Sequence, residues 1–293
     1  MPEGDTIWRT ARRLNEILAD EVIVDADLRW PGLSTVDLRG MRTLEVVSRG
    51  KNLLQRLDSG LTLHSHLRME GQWRVETTNG LASRTLANPQ LRALVATARW
   101  TALGLRLGNV HLLATVEEGR FFGHLGPDIL GTDWDAAEAA GRVAASRSTI
   151  GSALLDQRNL AGAGTLYASE ALFLERLSPW HPAASLPSVQ VRRVVDRVHR
   201  LLTLNRHNAI QSTTGVQRHG MTTYVHGRSG RPCRRCGGGV RVSSLGVPPK
   251  DRVFFYCPTC QGGLAAGDEG RRQGPLGSSA GSPGRRGPVQ GSK

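Results

Sequence analysis

Apolar positions take up helical spacing almost at the first residue. In GDTIWRTARRLNEILA (4–19), Ile7, Ala11, Leu14 and Leu18 share one face and Arg9, Arg12, Arg13 and Glu16 the other. This predicts an amphipathic helix with Asp5 or Thr6 near its cap. From about 21 to 115 the period shortens to β-prone runs, among them EVIVDADLRW, RTLEVVSRG, NLLQRLDSGLTLHSHLRM and LGLRLGNVHLLATV. DSG at 58–60 marks a hairpin. Strand follows strand with no long helical run between, which predicts an antiparallel sandwich or barrel. GHLGPDIL (123–130) reads as a linker. Helices are then predicted over 133–145, 151–162, 166–177 and 188–205, with Gly162 and Gly164 separating the second from the third. Residues 227–263 are rich in Gly and Cys, and from 264 the chain has almost nothing to bury and is expected to be disordered. The division is therefore an α+β multidomain chain: 1–116, a linker 117–132, 133–226, 227–263 and a tail 264–293. No internal repeat is seen.

The 293 residues suffice for two ordinary domains and a small appendage. A net charge of +13 points to a polyanion, with nucleic acid as the first candidate. A membrane is the rival, but no stretch approaches the roughly 18 apolar residues of a spanning helix. PEGDTIWRTARR lacks the apolar core of a secretory signal, so the expected setting is the cytoplasm.

Four cysteines, Cys233, Cys236, Cys257 and Cys260, have the spacing C-x2-C-x20-C-x2-C. Each pair brings two thiolates to one turn, and two pairs complete a tetrahedral sulfur site for one structural Zn2+. Arg228, Arg231, Arg234, Arg235, Arg241, Lys250 and Arg252 surround them against only Asp251, a density that favours a phosphate-facing hairpin. LLDQRNLAGAGTLYASEALF (154–173) joins two helices through AGAG. It is either an ordinary helical hairpin or a helix-turn-helix variant offering a helix N-terminus to phosphate. Lys51, His66 and Arg68 stand near predicted strand ends. His64 and His66 share a strand face, but no third ligand is evident, so no metal is expected there. If the initiator Met is removed, Pro2 becomes a free secondary amine beside Glu3, a nucleophile with its proton carrier. A helix N-terminus disfavours protonating such an amine, whose ordinary pKa is about 8.

PEGDT, SRGK, SHLRMEG, GPDIL, LLDQRNLAGAGTLYASEALF, YVHGRSGRPCRRCG and RVFFYCPTCQ occur in this order. Through them the chain resembles the formamidopyrimidine-DNA glycosylase/endonuclease VIII family over roughly residues 2–263. The resemblance implies an N-terminal β-sandwich, a helix-two-turn-helix domain and a zinc finger. It implies a base-excision-repair glycosylase and abasic-site lyase in which Pro2 attacks C1′ of an everted damaged nucleotide, Glu3 acts as acid/base, and Lys51 and Arg252 hold the adjacent phosphate. His66, Arg68, Thr165, Arg228, Arg234 and Arg235 would contact DNA, with Met69 as a wedge. The family usually has Asn where Thr165 stands. PEGDT, the RVFFYC approach with Phe254, and the short stretch between STTG (212–215) and YVHGR (224–228) look like the endonuclease VIII branch, which implies oxidised pyrimidines. HLRMEG looks like the branch that excises 8-oxoguanine and formamidopyrimidines. The expected partner is damaged DNA, met by a nucleoid-associated monomer with no membrane contact. The alternatives are a purine glycosylase, a non-catalytic relative that binds damaged DNA, and a zinc-ribbon transcription protein. The last leaves the first three residues unexplained.

Overall fold

A computed structural model describes residues 2–246 and 251–276. Lys250 and tail residues 277–293 lie outside the described residues. Helix α1 (Gly4–Leu18) leads into strands β1 (Asp25–Leu28), β2 (Thr43–Arg49), β3 (Asn52–Leu57), β4 (Leu61–His66) and β5 (Gln72–Thr77). A short α2 (Ser83–Leu86) precedes β6 (Leu91–Ala96), β7 (Trp100–Leu105) and β8 (Asn109–Ala114). The strands form two antiparallel four-stranded sheets, in the orders β1-β6-β7-β5 and β2-β3-β4-β8. The predicted DSG turn joins β3 to β4, with Arg56 opposite Thr62. Ile7, Ala11, Leu14 and Leu18 all enter the core between the sheets, with Val46, Leu53, Leu63, Val95 and Val110 among their neighbours. The predicted apolar stripe is thus the buried one. Its cap differs: Glu3 is the N-cap residue and Asp5 lies inside the first turn.

The segment read as a linker is packed. It contains α3 (Glu118–Phe122), which covers the outer face of β3 and β4. Glu118 accepts from Arg56 at 2.7–3.2 Å and from the Thr62 hydroxyl at 2.6 Å, and Phe122 is buried. Further on, Ile129 N donates to Ala161 O and Ala161 N to Pro127 O, at 3.0 and 2.9 Å. Apolar burial and backbone pairing override the turn composition of GHLGPDIL.

Helices α4 (Ala136–Ala144), α5 (Ile150–Leu155), α6 (Thr165–Leu174) and α7 (Ser188–Asn205) form the second core. The patterning predicts the second helix over 151–162, but it stops at Leu155. Residues 156–159 are polar, and Gln157 replaces the backbone ladder. Its amide donates to Leu155 O and Ala163 O and accepts from Gly162 N. Helix α6 is buried from Thr165 to Phe173, apolar nearly all round as a central helix must be. The one acid within it, Glu170, accepts three backbone N–H groups from Tyr224, Val225 and His226 at 2.7–2.8 Å, and the Thr213 hydroxyl. It thereby fixes the approach to the last module, the hairpin β9 (Arg241–Leu245) and β10 (Arg252–Tyr256).

Residues 264–276, predicted disordered, lie against that hairpin. Asp268 pairs with Arg241 and accepts from Tyr256 OH at 2.7 Å. Gln273 bonds Val242 N and O at 2.8 and 3.0 Å, and Ala265 is buried. Side-chain hydrogen bonds order a stretch that has little apolar surface to offer. Among the described residues, no helix is long and apolar enough to cross a membrane.

Candidate active site at the chain start

Gly4 N donates to Gly162 O at 2.9 Å, docking the first turn of α1 on the glycine turn before α6. Glu3 is fully buried there and caps a helix other than its own. Gly164 N and Leu166 N donate to its two carboxylate oxygens at 2.7 and 2.8 Å, and these are the N-cap and second residues of α6. The approach requires glycine at 164, since a Cβ there would meet the Glu3 carboxyl at 2.5–2.8 Å. Burial pushes the Glu3 pKa up to about 6, against the lowering effect of Lys51 and the two N–H bonds.

Lys51 follows Gly50, whose φ of +58° suits glycine. Gly50 N donates to Asp128 Oδ2 at 2.8 Å, so the buried acid in GPDIL holds the turn that carries the lysine. Lys51 Nζ donates to Ala163 O at 2.5 Å. Burial lowers the Lys51 pKa, the Glu3 charge opposes this, and the Arg252 charge reinforces it. Glu3, the N-cap of α1, and Lys51, from the β2–β3 turn, therefore meet on the turn 163–166, with Pro2 adjoining Glu3 in the chain and the Arg252 charge close enough to act on Lys51. A carboxyl that titrates near neutrality beside an ammonium group suits acid/base work on an anionic substrate.

His66 Nδ1 accepts from Arg68 N at 2.9 Å in the turn after β4. Met69 at its tip is 66% exposed, which excludes a core role. Thr165 opens α6 with only 7% of its surface accessible, so its hydroxyl offers little to a ligand. The finger arginines also hold the local backbone. Arg228 donates to Tyr224 O and Pro232 O, Arg234 to Thr223 O and Gly220 O. Arg235 donates to Phe173 O and lies 4.2 Å over the Phe173 ring. These guanidinium groups satisfy backbone carbonyls while staying half-exposed or exposed, a use that composition does not reveal.

The four cysteine sulfurs lie within 4.8 Å of one another, with Cys233–Cys260 at 4.0 Å and Cys236–Cys257 at 3.5 Å. Tetrahedral zinc with bonds of about 2.3 Å needs sulfurs about 3.8 Å apart, so the set fits a metal ion. His64 instead bonds Asn52 and stacks on His111. Among the described residues, only the cysteines gather as a ligand set.

Sequence reasoning missed Asp128, Glu170 and a network in which the buried Asp5 accepts from Tyr167 and Gln211. Glu170 had a signal, a lone acid in an apolar helix. Asp5 and Gln211 had none, being 206 positions apart.

A β-sandwich and a helical layer sharing a buried glutamate, with a four-cysteine hairpin behind them, define the fold of a DNA-repair glycosylase. Residues 1–121 match the formamidopyrimidine-DNA glycosylase N-terminal domain and residues 125–217 the H2TH domain of the same family. The chain is 46% identical over 272 residues to a probable endonuclease 8 2 of Streptomyces coelicolor, covering 92% of this chain and 98% of that protein. It is 39% identical to the DNA-(apurinic or apyrimidinic site) lyase Nei2 of Mycolicibacterium smegmatis, covering 89% and 99%. A crystal structure of Lactococcus lactis formamidopyrimidine-DNA glycosylase bound to abasic-site DNA superposes with a TM-score of 0.74 at 22% identity, covering 89% and 99%. The chain belongs to the formamidopyrimidine-DNA glycosylase/endonuclease VIII family of base-excision-repair glycosylases and abasic-site lyases, on its endonuclease VIII side.

Proposed function

We propose that this chain removes oxidised pyrimidines from DNA through a Schiff base on Pro2 and then breaks the strand by β,δ-elimination. The observation that supports it most is the convergence of Glu3 and Lys51 beside Pro2 on the N-terminus of α6. With the initiator Met removed, the Pro2 nitrogen bonds C1′ as the C1′–base bond breaks, and the base leaves with that bonding pair and takes up the proton the amine loses. A proton from Glu3 goes to the ring oxygen as the sugar opens, leaving a cationic imine. That cation withdraws electrons from C2′, whose proton is lost as the 3′ phosphate departs, and through the conjugated imine so formed C4′ loses a proton as the second elimination expels the 5′ phosphate. Lys51 and Arg252 would neutralise the phosphate beside the lesion, with His66 and Arg68 along the same backbone and Met69 filling the gap left by eversion. The four cysteines would hold one zinc, which supplies the cross-link that keeps the β9–β10 hairpin and Arg252 in place. The partner is damaged DNA, met by a monomer in the cytoplasm. The domain limits are those read from the sequence, with 264–276 added to the finger.

HLRMEG favours a second reading, excision of 8-oxoguanine. Single-turnover rates on matched duplexes separate the two. Faster release of dihydrouracil opposite guanine than of 8-oxoguanine opposite cytosine is expected, and the reverse order would leave only the family assignment.

A further inference from the structure

Asp5 is fully buried in the first turn of α1, two residues after Glu3. Its Oδ2 accepts from Tyr167 OH at 2.8 Å, and both oxygens accept from Gln211 Nε2 at 2.9 and 3.0 Å. Burial raises the Asp5 pKa, against the lowering effect of the Gln211 and Tyr167 hydrogen bonds and the Arg9 charge, and both side-chain partners are placed to donate to it. A carboxylate has no hydrogen to give, so the Gln211 amide must turn its NH2 toward Asp5 and its carbonyl oxygen away. Among the described residues no group donates to Gln211 Oε1.

The segment that carries Gln211 is held on both sides. Ser212 N donates to Asn205 Oδ1 at 2.7 Å and Asn205 Nδ2 to Ser212 O at 2.9 Å. Thr213 N donates to Thr222 O at 2.8 Å, and its hydroxyl to the buried Glu170. An acceptor of fixed orientation is therefore anchored to the first turn of the helix that begins beside Pro2. A group held so rigidly discriminates between ligands, because it does not turn to suit the wrong one.

We propose that Gln211, oriented by Asp5 as its positioning residue, reads the everted base by accepting a hydrogen bond from a ring N–H. The inference rests on the pyrimidine reading above. Uracil- and thymine-derived lesions carry a hydrogen on N3, whereas cytosine-derived lesions present a lone pair there. The site should therefore favour the former.

The test uses the full chain and two lesions that share a ring substituent, 5-hydroxyuracil and 5-hydroxycytosine, each opposite guanine. Every single-turnover excision rate is divided by the same variant's rate on a preformed abasic site, which removes effects on folding and DNA affinity. Wild type should prefer 5-hydroxyuracil by about 10-fold, one hydrogen bond's worth. Gln211→Ala should bring the ratio close to one. Asp5→Asn should do so or invert it, because the new amide can donate to Oε1 and let Gln211 present its NH2. A wild-type ratio near one, or a ratio unchanged in both variants, would overturn the assignment of Gln211. Wild-type release of 8-oxoguanine with neither pyrimidine excised would instead overturn the pyrimidine reading, and this inference with it.

Discussion

Gly164→Ala adds one methyl group where the Glu3 carboxyl already sits. The new Cβ would be 2.5 Å from Glu3 Cδ, and ordinary contact begins at 3.4 Å, so the carboxyl must retreat by 0.9 Å. Bonds of 2.7 and 2.8 Å stretched by that much pass the limit of a hydrogen bond. Each links a backbone N–H to an ionisable carboxyl and contributes roughly 1.5–3 kcal/mol. Losing both with partial relaxation should cost about 3 kcal/mol, which lowers Tm by roughly 6–12 °C for a chain of this size. Backbone strain adds nothing, because φ of Gly164 is −134°. A carboxyl misplaced by about 1 Å should also slow base excision by on the order of 10²-fold. Urea unfolding and single-turnover excision measure the two effects. In a Glu3→Ala background, where the obstruction is gone, the same substitution should cost less than about 0.5 kcal/mol. Near-wild-type stability and excision in Gly164→Ala, or an equal cost in both backgrounds, would refute the coupling of Glu3 to α6.

Glu3 has a raised pKa, so its contribution is full below its ordinary value of 4.5 and is lost as pH rises through about 6. Relative to Glu3→Gln, urea unfolding should show about 2 kcal/mol less stability at pH 7 than at about pH 3.5, and a flat difference would contradict the burial effect. Elemental analysis should find one zinc per chain. Cys257→Ser should abolish it and weaken binding to abasic-site DNA, whereas full affinity in a metal-free variant would remove the finger from the interface. Met69→Ala should change unfolding free energy by no more than about 0.5 kcal/mol, the side chain being 66% exposed, yet slow excision by about 10-fold or more. Equal excision would deny it the wedge role.

Elements fixed by local periodicity were readable from the chain. The apolar stripe of α1, the 58–60 hairpin and the cysteine pairs each announce themselves within a few residues. Motifs single out Pro2, Glu3, Lys51 and Arg252, but not why Glu3 and Lys51 meet, which lies in two N–H groups and one carbonyl of the 163–166 turn. Helix α5 ended early because the Gln157 side chain replaces backbone bonds, which no period reveals. The carbonyl partners of the finger arginines were not legible, because charge density does not say which carbonyls lie nearby. Asp5 and Gln211 meet only after folding, so neither carried a local mark.

Borohydride reduction of the chain bound to abasic-site DNA asks directly whether the N-terminal amine is the nucleophile. Reduction should trap a covalent adduct, and peptide mapping should place the sugar on Pro2. Pro2→Thr, or a blocked N-terminus, should abolish trapping. Undiminished trapping in both, with the adduct on Lys51 or another lysine, would contradict the mechanism proposed for this site.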